Sequence, residues 1–359
     1  MKIGLIGLQN SGKTTIFNAL TGSEAEVSTY SAQKVEPHLA QVDVLDNRVD
    51  ELSKLYSPKK TIYATVNFLD FAGLSSGSAK DGIFSGSSMG LIKTADALAL
   101  VIRNFADEII TDLQGEPQPL QDLETITEEL ILSDLIIAEN RIERIEKDSQ
   151  RGRKTPESLA EQKVLKKILE NLNESRAIRD IELTDVEKKT ILGFQFLSQK
   201  PLLVILNSDE NNYGKNQAVI DKLSAGNKVI EFAGNFEMEL SRMEEDEAKL
   251  FMEDIGITES ARERLTHFAY EMLGYISFFT VGEDEVRAWT IHNGESAVDA
   301  AGTIHSDLAR GFIRAECFTC EDLLTYGSEK SVKEKGHFRL EGKDYIVKDG
   351  DILHIRFSV

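Results

Sequence analysis

The stretch Gly7-Leu8-Gln9-Asn10-Ser11-Gly12-Lys13-Thr14 constrains this chain more than any other. It follows the apolar run Ile3-Gly4-Leu5-Ile6, which reads as a buried strand, and precedes Thr15-Ile16-Phe17-Asn18-Ala19-Leu20, whose spacing suits an amphipathic helix. Strand, glycine turn and helix in that order make a P-loop, because the pattern G-x-x-x-x-G-K-[ST] lets the backbone close around a polyphosphate with successive N–H groups and a helix N-terminus facing the anion. Gln9, Asn10, Ser11, Gly12, Lys13, Thr14 and Thr15 are therefore the candidate phosphate cradle. Lys13 is placed to reach the β- and γ-phosphates, and Thr14 to offer its hydroxyl to Mg²⁺. A glycine turn that merely carries a lysine is the plainer alternative, and the flanking strand and helix argue against it.

A second feature stands downstream. Ala64 to Phe71 reads as a strand and ends on Asp70-Phe71-Ala72-Gly73, where a strand-end carboxylate can hold a Mg²⁺-bound water and the Gly73 N–H can approach a γ-phosphate. Asp70 and Thr14 are thus the candidate metal ligands, and Lys13, Asp70 and Gly73 the candidate catalytic groups. Gly22 to Pro37 is polar and without periodicity, and Ser75 to Met89 is dense in Gly and Ser; both have the composition of loops, and both sit where loops would sense the nucleotide.

The apolar runs Leu39 to Val44, Ala97 to Arg103, Pro201 to Leu206 and Val229 to Phe232 supply the other strands of an α/β sheet, with helices at Asn47 to Tyr56, through Leu91 and Ile92, and at Asp185 to Gln195. From Asp122 to Lys147 apolar residues recur every three or four positions among charges. The polar turn Ser149 to Pro156 and a second amphipathic run through Leu172 complete an antiparallel helical hairpin. That hairpin is either an arm for partners or an insert packed on itself. Acidic helical stretches at Met243 to Ile255 and Glu259 to Leu273 lead to short strands at 276–281, 287–291, 338–340, 345–347 and 352–357, with a helix over Ser296 to Ala301, the pattern of a small α+β domain. The expected organisation is a nucleotide-binding domain over 1–121 and 184–275, the hairpin over 122–183, and the α+β domain over 276–359.

The strand at Pro201 to Leu206 ends on Asn207-Ser208-Asp209-Glu210. Guanine-selective proteins place N-K-x-D here, whose Asp accepts from the guanine N1–H and 2-amino group. Glu210 is longer by a methylene and Ser208 removes the lysine that flanks the base, so guanine loses on the order of 1–3 kcal/mol and adenine is favoured.

A net charge of −20 over 359 residues excludes broad electrostatic attraction to nucleic acid or anionic membrane and leaves only a local basic face. No cleavable leader precedes the first strand and no apolar run approaches the ~18 residues of a membrane span, so a cytoplasmic protein without membrane partners is expected. Cys317 and Cys320 form a lone C-x-x-C without further zinc ligands or a βαβ context, and read as reduced thiols.

The P-loop, Glu36-Pro37, Asp70 to Leu74, Asn207 to Glu210, and the C-terminal block from Phe278-Phe279-Thr280 through Glu285-Val286-Arg287-Ala288-Trp289-Thr290 and Ala301-Gly302-Thr303-Ile304-His305 to Arg310-Gly311-Phe312-Ile313-Arg314-Ala315-Glu316 together resemble the YchF-type, Obg-like P-loop ATPases from end to end. The resemblance implies a β-grasp TGS domain at the C-terminus and a translation-factor-type ATPase that prefers ATP, tolerates GTP and associates with the ribosome, its large subunit or ribosome-associated RNA or protein. It implies a monomer of low intrinsic rate, since Leu74 stands where related GTPases carry a water-orienting glutamine. The chain departs from the family at Lys34, which replaces the first-switch threonine, at Thr111 or Asp112, which replaces a histidine, and at Gln9 and Ser11 in the P-loop. Asn10 either helps hold K⁺ beside the phosphates, as in some related hydrolases, or braces the loop through its amide. A slow ATPase switch, a true GTPase and a nucleotide-gated binding module with negligible turnover are the functions these residues allow.

Overall fold

The structure, a computed structural model, describes residues 1–22, 38–71, 87–255 and 257–358. Its strands are β1 (Lys2–Ile6), β2 (His38–Val44), β3 (Lys60–Ile62), β4 (Ala64–Asp70), β5 (Ala97–Asn104), β6 (Leu202–Ser208), β7 (Lys228–Phe232), β8 (Tyr275–Thr280), β9 (Glu285–His292), β10 (Phe312–Thr319), β11 (Arg339–Glu341) and β12 (Asp351–Phe357). Its helices are α1 (Lys13–Thr21), α2 (Asn47–Tyr56), α3 (Ser87–Lys93), α4 (Glu108–Gln114), α5 (Pro119–Gln150), α6 (Pro156–Asn173), α7 (Asp185–Ile191), α8 (Gln217–Leu223), α9 (Gly234–Leu240), α10 (Glu245–Ile255), α11 (Ala261–Leu273), α12 (Ala297–Ile304), α13 (Ser306–Arg310), α14 (Cys320–Tyr326) and α15 (Glu329–Glu334).

The first sheet runs in the order β2-β4-β1-β5-β6-β7, and β4, β1, β5, β6 and β7 are parallel neighbours. β5 and β6 are apolar at nearly every position because helices cover both faces, which buries alternate side chains equally. β1 lies at the centre, so the turn that follows it opens at the carboxyl edge of the sheet beside the ends of β4 and β6, where open α/β sheets bind ligands.

α5 has two jobs along its 32 residues. Ile126 and Leu130 belong to the core of the sheet, while Ile131, Ala138, Ile142 and Ile145 meet Val164, Leu165, Ile168 and Leu172 of α6 in a separate core. Arg141 donates twice to Glu161 across the hairpin, at 2.7 and 2.8 Å. α6 begins on Pro156 behind a reciprocal Thr155–Ser158 capping box, the signature that stops the turn and starts the helix. Asp134, fully buried on α5, accepts the Leu197 and Ser198 N–H groups at 2.8 and 2.6 Å; burial lifts its carboxyl to about 6 against those bonds.

The second sheet runs β11-β10-β12-β8-β9-β3. β8 and β9 are antiparallel, β12 lies parallel to β8, and β10 returns antiparallel to β12. α12 presents Ala297, Ala300 and Ala301 to this sheet, small side chains that bring the helix close to Phe278, Ile291 and Leu353. This mixed sheet with its close-packed helix is the small α+β, TGS-like domain that follows the P-loop domain and its hairpin.

By internal contacts the chain forms two units, residues 1–41 with 67–261 and residues 42–66 with 262–359. That grouping differs from the sequence boundaries, which put 42–66 in the nucleotide-binding domain and began the last domain at 276. Within the second unit β3 pairs in parallel with β9, from Lys60↔Glu285 to Ile62↔Arg287, and Arg48 of α2 donates to Asp349 at 2.6 Å. The expected strand at 345–347 is instead irregular backbone with a single antiparallel bridge from Ile346 to Ser296; beside it Asp351 accepts the Tyr345 hydroxyl (2.8 Å) and the Lys348 N–H (2.9 Å). α4, α8, α9, α13, α14 and α15 were not expected. They are five to seven residues long, too short to show a period, and α14 and α15 start on the caps Thr319 and Ser328. Cys317 and Cys320 are free and buried, and burial pushes their thiols up to about 12 and about 11, which leaves them unreactive.

Candidate nucleotide site

The turn after β1 is built as its residue types require. Asn10 sits at φ 61 and Gly12 at φ 89, left-handed conformations that asparagine tolerates and glycine favours. Gly12 is needed for space as well, since a Cβ there would stand 2.1 Å from Asn207 Nδ2. Gln9 is exposed, Asn10 and Thr14 are partly so, and Ser11, Lys13 and Thr15 are buried.

Lys13 lies beneath the turn, where its ammonium donates to the carbonyls of Gly7 (3.0 Å) and Leu8 (2.6 Å). Burial lowers its pKa to about 8, with the Asp70 charge pulling the other way. Asp70 closes β4 at 3% exposure. Its Oδ2 accepts from Thr14 Oγ1 at 3.0 Å and lies 3.8 Å from His38 Nδ1, while Oδ1 is buried and has no hydrogen-bond partner among the described residues. Burial raises the Asp70 pKa above the usual carboxylate value, against the pull of Lys13, the Thr14 bond and His38. Ser11 Oγ is a second buried oxygen without a partner among the described residues. A threonine hydroxyl beside a carboxylate with a spare oxygen is a hard, all-oxygen donor pair that fits Mg²⁺.

Asn207, 3% exposed at the end of β6, ties three segments together. Its Nδ2 donates to the Ser11 carbonyl at 3.1 Å and its Oδ1 accepts the Gly234 N–H at 3.2 Å. A Cβ on Gly234 would come within 2.4 Å of that oxygen, so the turn after β7 also needs glycine. Ser208 is buried and donates to Glu231 Oε1 (2.6 Å) while accepting from Asn104 (3.0 Å) and Asn216 (3.2 Å). Glu231 also accepts from Asn216 (2.5 Å) and from the Gly214 N–H (3.1 Å), which holds the loop carrying Glu210. Glu210 itself is exposed in that loop.

The structure thus gathers the P-loop residues, Asp70 and Asn207 at one edge of the sheet, with Glu210 in the loop that continues β6. Gly73, Leu74, Lys34, Glu36 and Pro37 lie outside the described residues, as do 23–37 and 72–86 that hold the two expected sensing loops; Thr111 and Asp112 are on α4. His38, Gly234, Glu231, Asn104 and Asn216 were missed. Only Gly234 left a signal, a glycine just past a strand; the others are brought in by strands distant in sequence. Trp289 packs against the β8–β9 core and donates to Thr280 at 2.9 Å, and His305, exposed at the N-terminus of α13, accepts the Asp307 N–H.

A parallel sheet with a glycine-rich turn after its central strand, a lysine under that turn and a Thr–Asp oxygen pair beside it defines a P-loop nucleotide-binding protein. A family model described as "50S ribosome-binding GTPase" matches residues 2–141, and the YchF-GTPase_C model, described as "Protein of unknown function (DUF933)", matches residues 275–358. The chain is 38% identical to the Ribosome-binding ATPase YchF of Bacillus subtilis (strain 168), with 99% of each chain covered. It is 36% identical to the Ribosome-binding ATPase YchF of Escherichia coli O157:H7, covering 100% of this chain and 99% of that one. The solved structure of the Schizosaccharomyces pombe YchF GTPase superposes with a TM-score of 0.85 at 32% identity, over 99% of this chain and 97% of that one. The chain belongs to the YchF family. Among the described residues no helix is long and apolar enough to cross a membrane.

Proposed function

We propose that this protein binds ATP in preference to GTP at the P-loop with Mg²⁺, hydrolyses it slowly, and couples the bound state to association with the ribosome in the cytoplasm. The observation that carries the reading is the Thr14–Asp70 oxygen pair, 3.0 Å apart, next to a lysine buried under a glycine turn that Asn207 braces. Thr14 and Asp70 would hold Mg²⁺, which when bound screens phosphate charge. Lys13 would exchange its two backbone carbonyls for phosphate oxygens, a better partner for a buried ammonium. The backbone N–H groups of the turn and the N-terminus of α1 orient the polyphosphate, and Asn207 keeps the turn in register with the base site. Glu210 in place of aspartate disfavours guanine. The relatives' names support the ribosome as partner and hydrolysis as the reaction, and Leu74 in place of a glutamine supports a low rate.

Asp70→Ala tests the site. It is expected to abolish the Mg²⁺-dependent gain in ATP affinity while leaving the Mg²⁺-independent part within about twofold. Equal ATP affinity of the parent protein with and without Mg²⁺ would remove Asp70 and Thr14 from the metal role.

A further inference from the structure

On a chain of net charge −20, the tip of the helical hairpin is basic. Residues 144–154 carry Arg144, Lys147, Arg151, Arg153 and Lys154 against Glu146 and Asp148, an excess of three positive charges. On the shaft of the hairpin the cations are paired: Arg141 with Glu161, Lys166 with Glu146 and Lys167 with Glu187. Glu146, one of the two acids at the tip, is thereby turned toward the shaft, where it also accepts from Gln162 at 3.0 Å. Among the described residues Arg144, Arg151, Arg153 and Lys154 make no ion pair and no side-chain hydrogen bond, and all four are exposed. Leaving four cations unpaired in so acidic a chain gives no stability to the fold.

The chemistry of the turn selects the partner. From 149 to 158 the sequence is Ser-Gln-Arg-Gly-Arg-Lys-Thr-Pro-Glu-Ser, with no aromatic side chain and with Pro156, which starts α6, as its one apolar side chain, a poor anchor for a protein pocket. Nor does it offer a ring on which a nucleobase would stack. Cations and backbone N–H groups on a rigid support are what a phosphate backbone needs, and they position a protein without reading sequence. α5 supplies the support. Leu130 is in the sheet core, and the helix continues for 20 residues to Gln150, so the turn stands about 30 Å further along the helix axis.

We propose that Arg144, Arg151, Arg153 and Lys154 form a docking tip for the phosphate backbone of structured RNA, and that this tip is a ribosomal contact of the protein. The identity of that RNA as ribosomal rests on the function proposed above; the chemistry of the tip does not.

The test uses the full chain and the variant Arg151→Glu, Arg153→Glu, Lys154→Glu, which alters only exposed turn residues and leaves the Thr155–Ser158 cap intact. The probes are purified ribosomes in co-sedimentation and a duplex RNA of about 20 base pairs, titrated between about 50 and 200 mM KCl. The parent is expected to bind both. The variant is expected to lose at least about tenfold in affinity for each, and its plot of log K against log salt to flatten by about 2 to 3, since each duplex phosphate contact contributes about 0.9 to the slope. Basal ATP turnover, in which the tip has no part, stays at the parent value. If the variant holds ribosomes and duplex as tightly as the parent, with the same slope, the tip is not a contact and the inference fails while the ribosome reading stands. A parent that binds the duplex through the tip yet does not sediment with ribosomes upholds the RNA chemistry and overturns the ribosome reading. If the parent has no affinity for the duplex while the variant loses the ribosome, the tip meets an acidic protein surface, and the RNA assignment is overturned.

Discussion

Lys13 gives the site a pH dependence that can be worked from the structure. Its ammonium is held at about 8 in the free protein, against an ordinary 10.5, because burial beneath the turn costs more than the two carbonyls and Asp70 return. The polyphosphate that replaces those carbonyls favours the charged form, so binding restores the pKa to about 10.5 or above. Above pH 8 the nucleotide must therefore bring a proton with it. Between pH 7 and about pH 9.5 ATP affinity is expected to fall about thirtyfold, roughly 2 kcal/mol, with about one proton taken up per ATP at the upper pH. Calorimetric titration in two buffers of different ionisation enthalpy measures both quantities. Lys13→Arg is the control, since a guanidinium stays charged throughout and its affinity is expected to be flat over the same range. The free protein should respond in the opposite sense. The unfolded chain keeps the Lys13 proton up to about 10.5 while the folded chain has released it from about 8, so this group adds up to about 3 kcal/mol of stability as pH rises through that window. An affinity unchanged between pH 7 and 9.5, without proton uptake, would refute the placement of Lys13 against the phosphates.

Three further outcomes follow from the same geometry. Asp70→Asn is expected to stabilise the nucleotide-free protein by about 1–2 kcal/mol in urea titration, because it removes a buried carboxylate with an orphaned oxygen. As the Asp70 carboxyl is raised in the folded state, that advantage should grow as pH rises from the usual carboxylate range to neutrality and vanish below it; a destabilised variant at pH 7 would contradict it. Gly12→Ala is expected to unseat Asn207, 2.1 Å from the new Cβ, and to cost at least about 2 kcal/mol of ATP affinity; a change under about 0.5 kcal/mol would show the brace to be idle. Ser208→Lys with Glu210→Asp places an ammonium beside Glu231 and restores the guanine acceptor, and is expected to shift the GTP-to-ATP affinity ratio at least about tenfold toward GTP, a shift whose absence would assign base choice to other residues.

The parts of the site that lie within one local element are those the sequence displays. Gly7 to Thr14 is contiguous, and its glycines, lysine and threonine each answer a steric or electrostatic demand visible without the fold; Asp70 announces itself at the end of an apolar strand. Asn207 stood out in the sequence only through the motif that ends β6; its bonds to Ser11 and Gly234 were not legible, because they join residues 196 and 27 positions apart through the parallel sheet. The Ser208–Glu231–Asn216–Asn104 cluster was invisible for the same reason, and the sequence showed Ser208 only as an absent lysine. Residues 42–66 read as part of the first domain because strands 39–44 and 64–71 flank them; what groups them with 262–359 is the three-residue β3 and the charge of Arg48, neither of which leaves a periodic trace. The long amphipathic period of α5 and α6, by contrast, marked the hairpin clearly, and its unpaired tip cations could be picked out only once the partners of the shaft cations were known.

The claim that ties site to function is that the base pocket of this YchF-family protein takes adenine. Titration of the purified chain with ATP and with GTP, each with Mg²⁺, measures it directly. ATP is expected to bind at least about tenfold more tightly and to be the nucleotide turned over faster. GTP bound tenfold more tightly than ATP would contradict the role given to Asn207 and Glu210 and make the protein a GTPase.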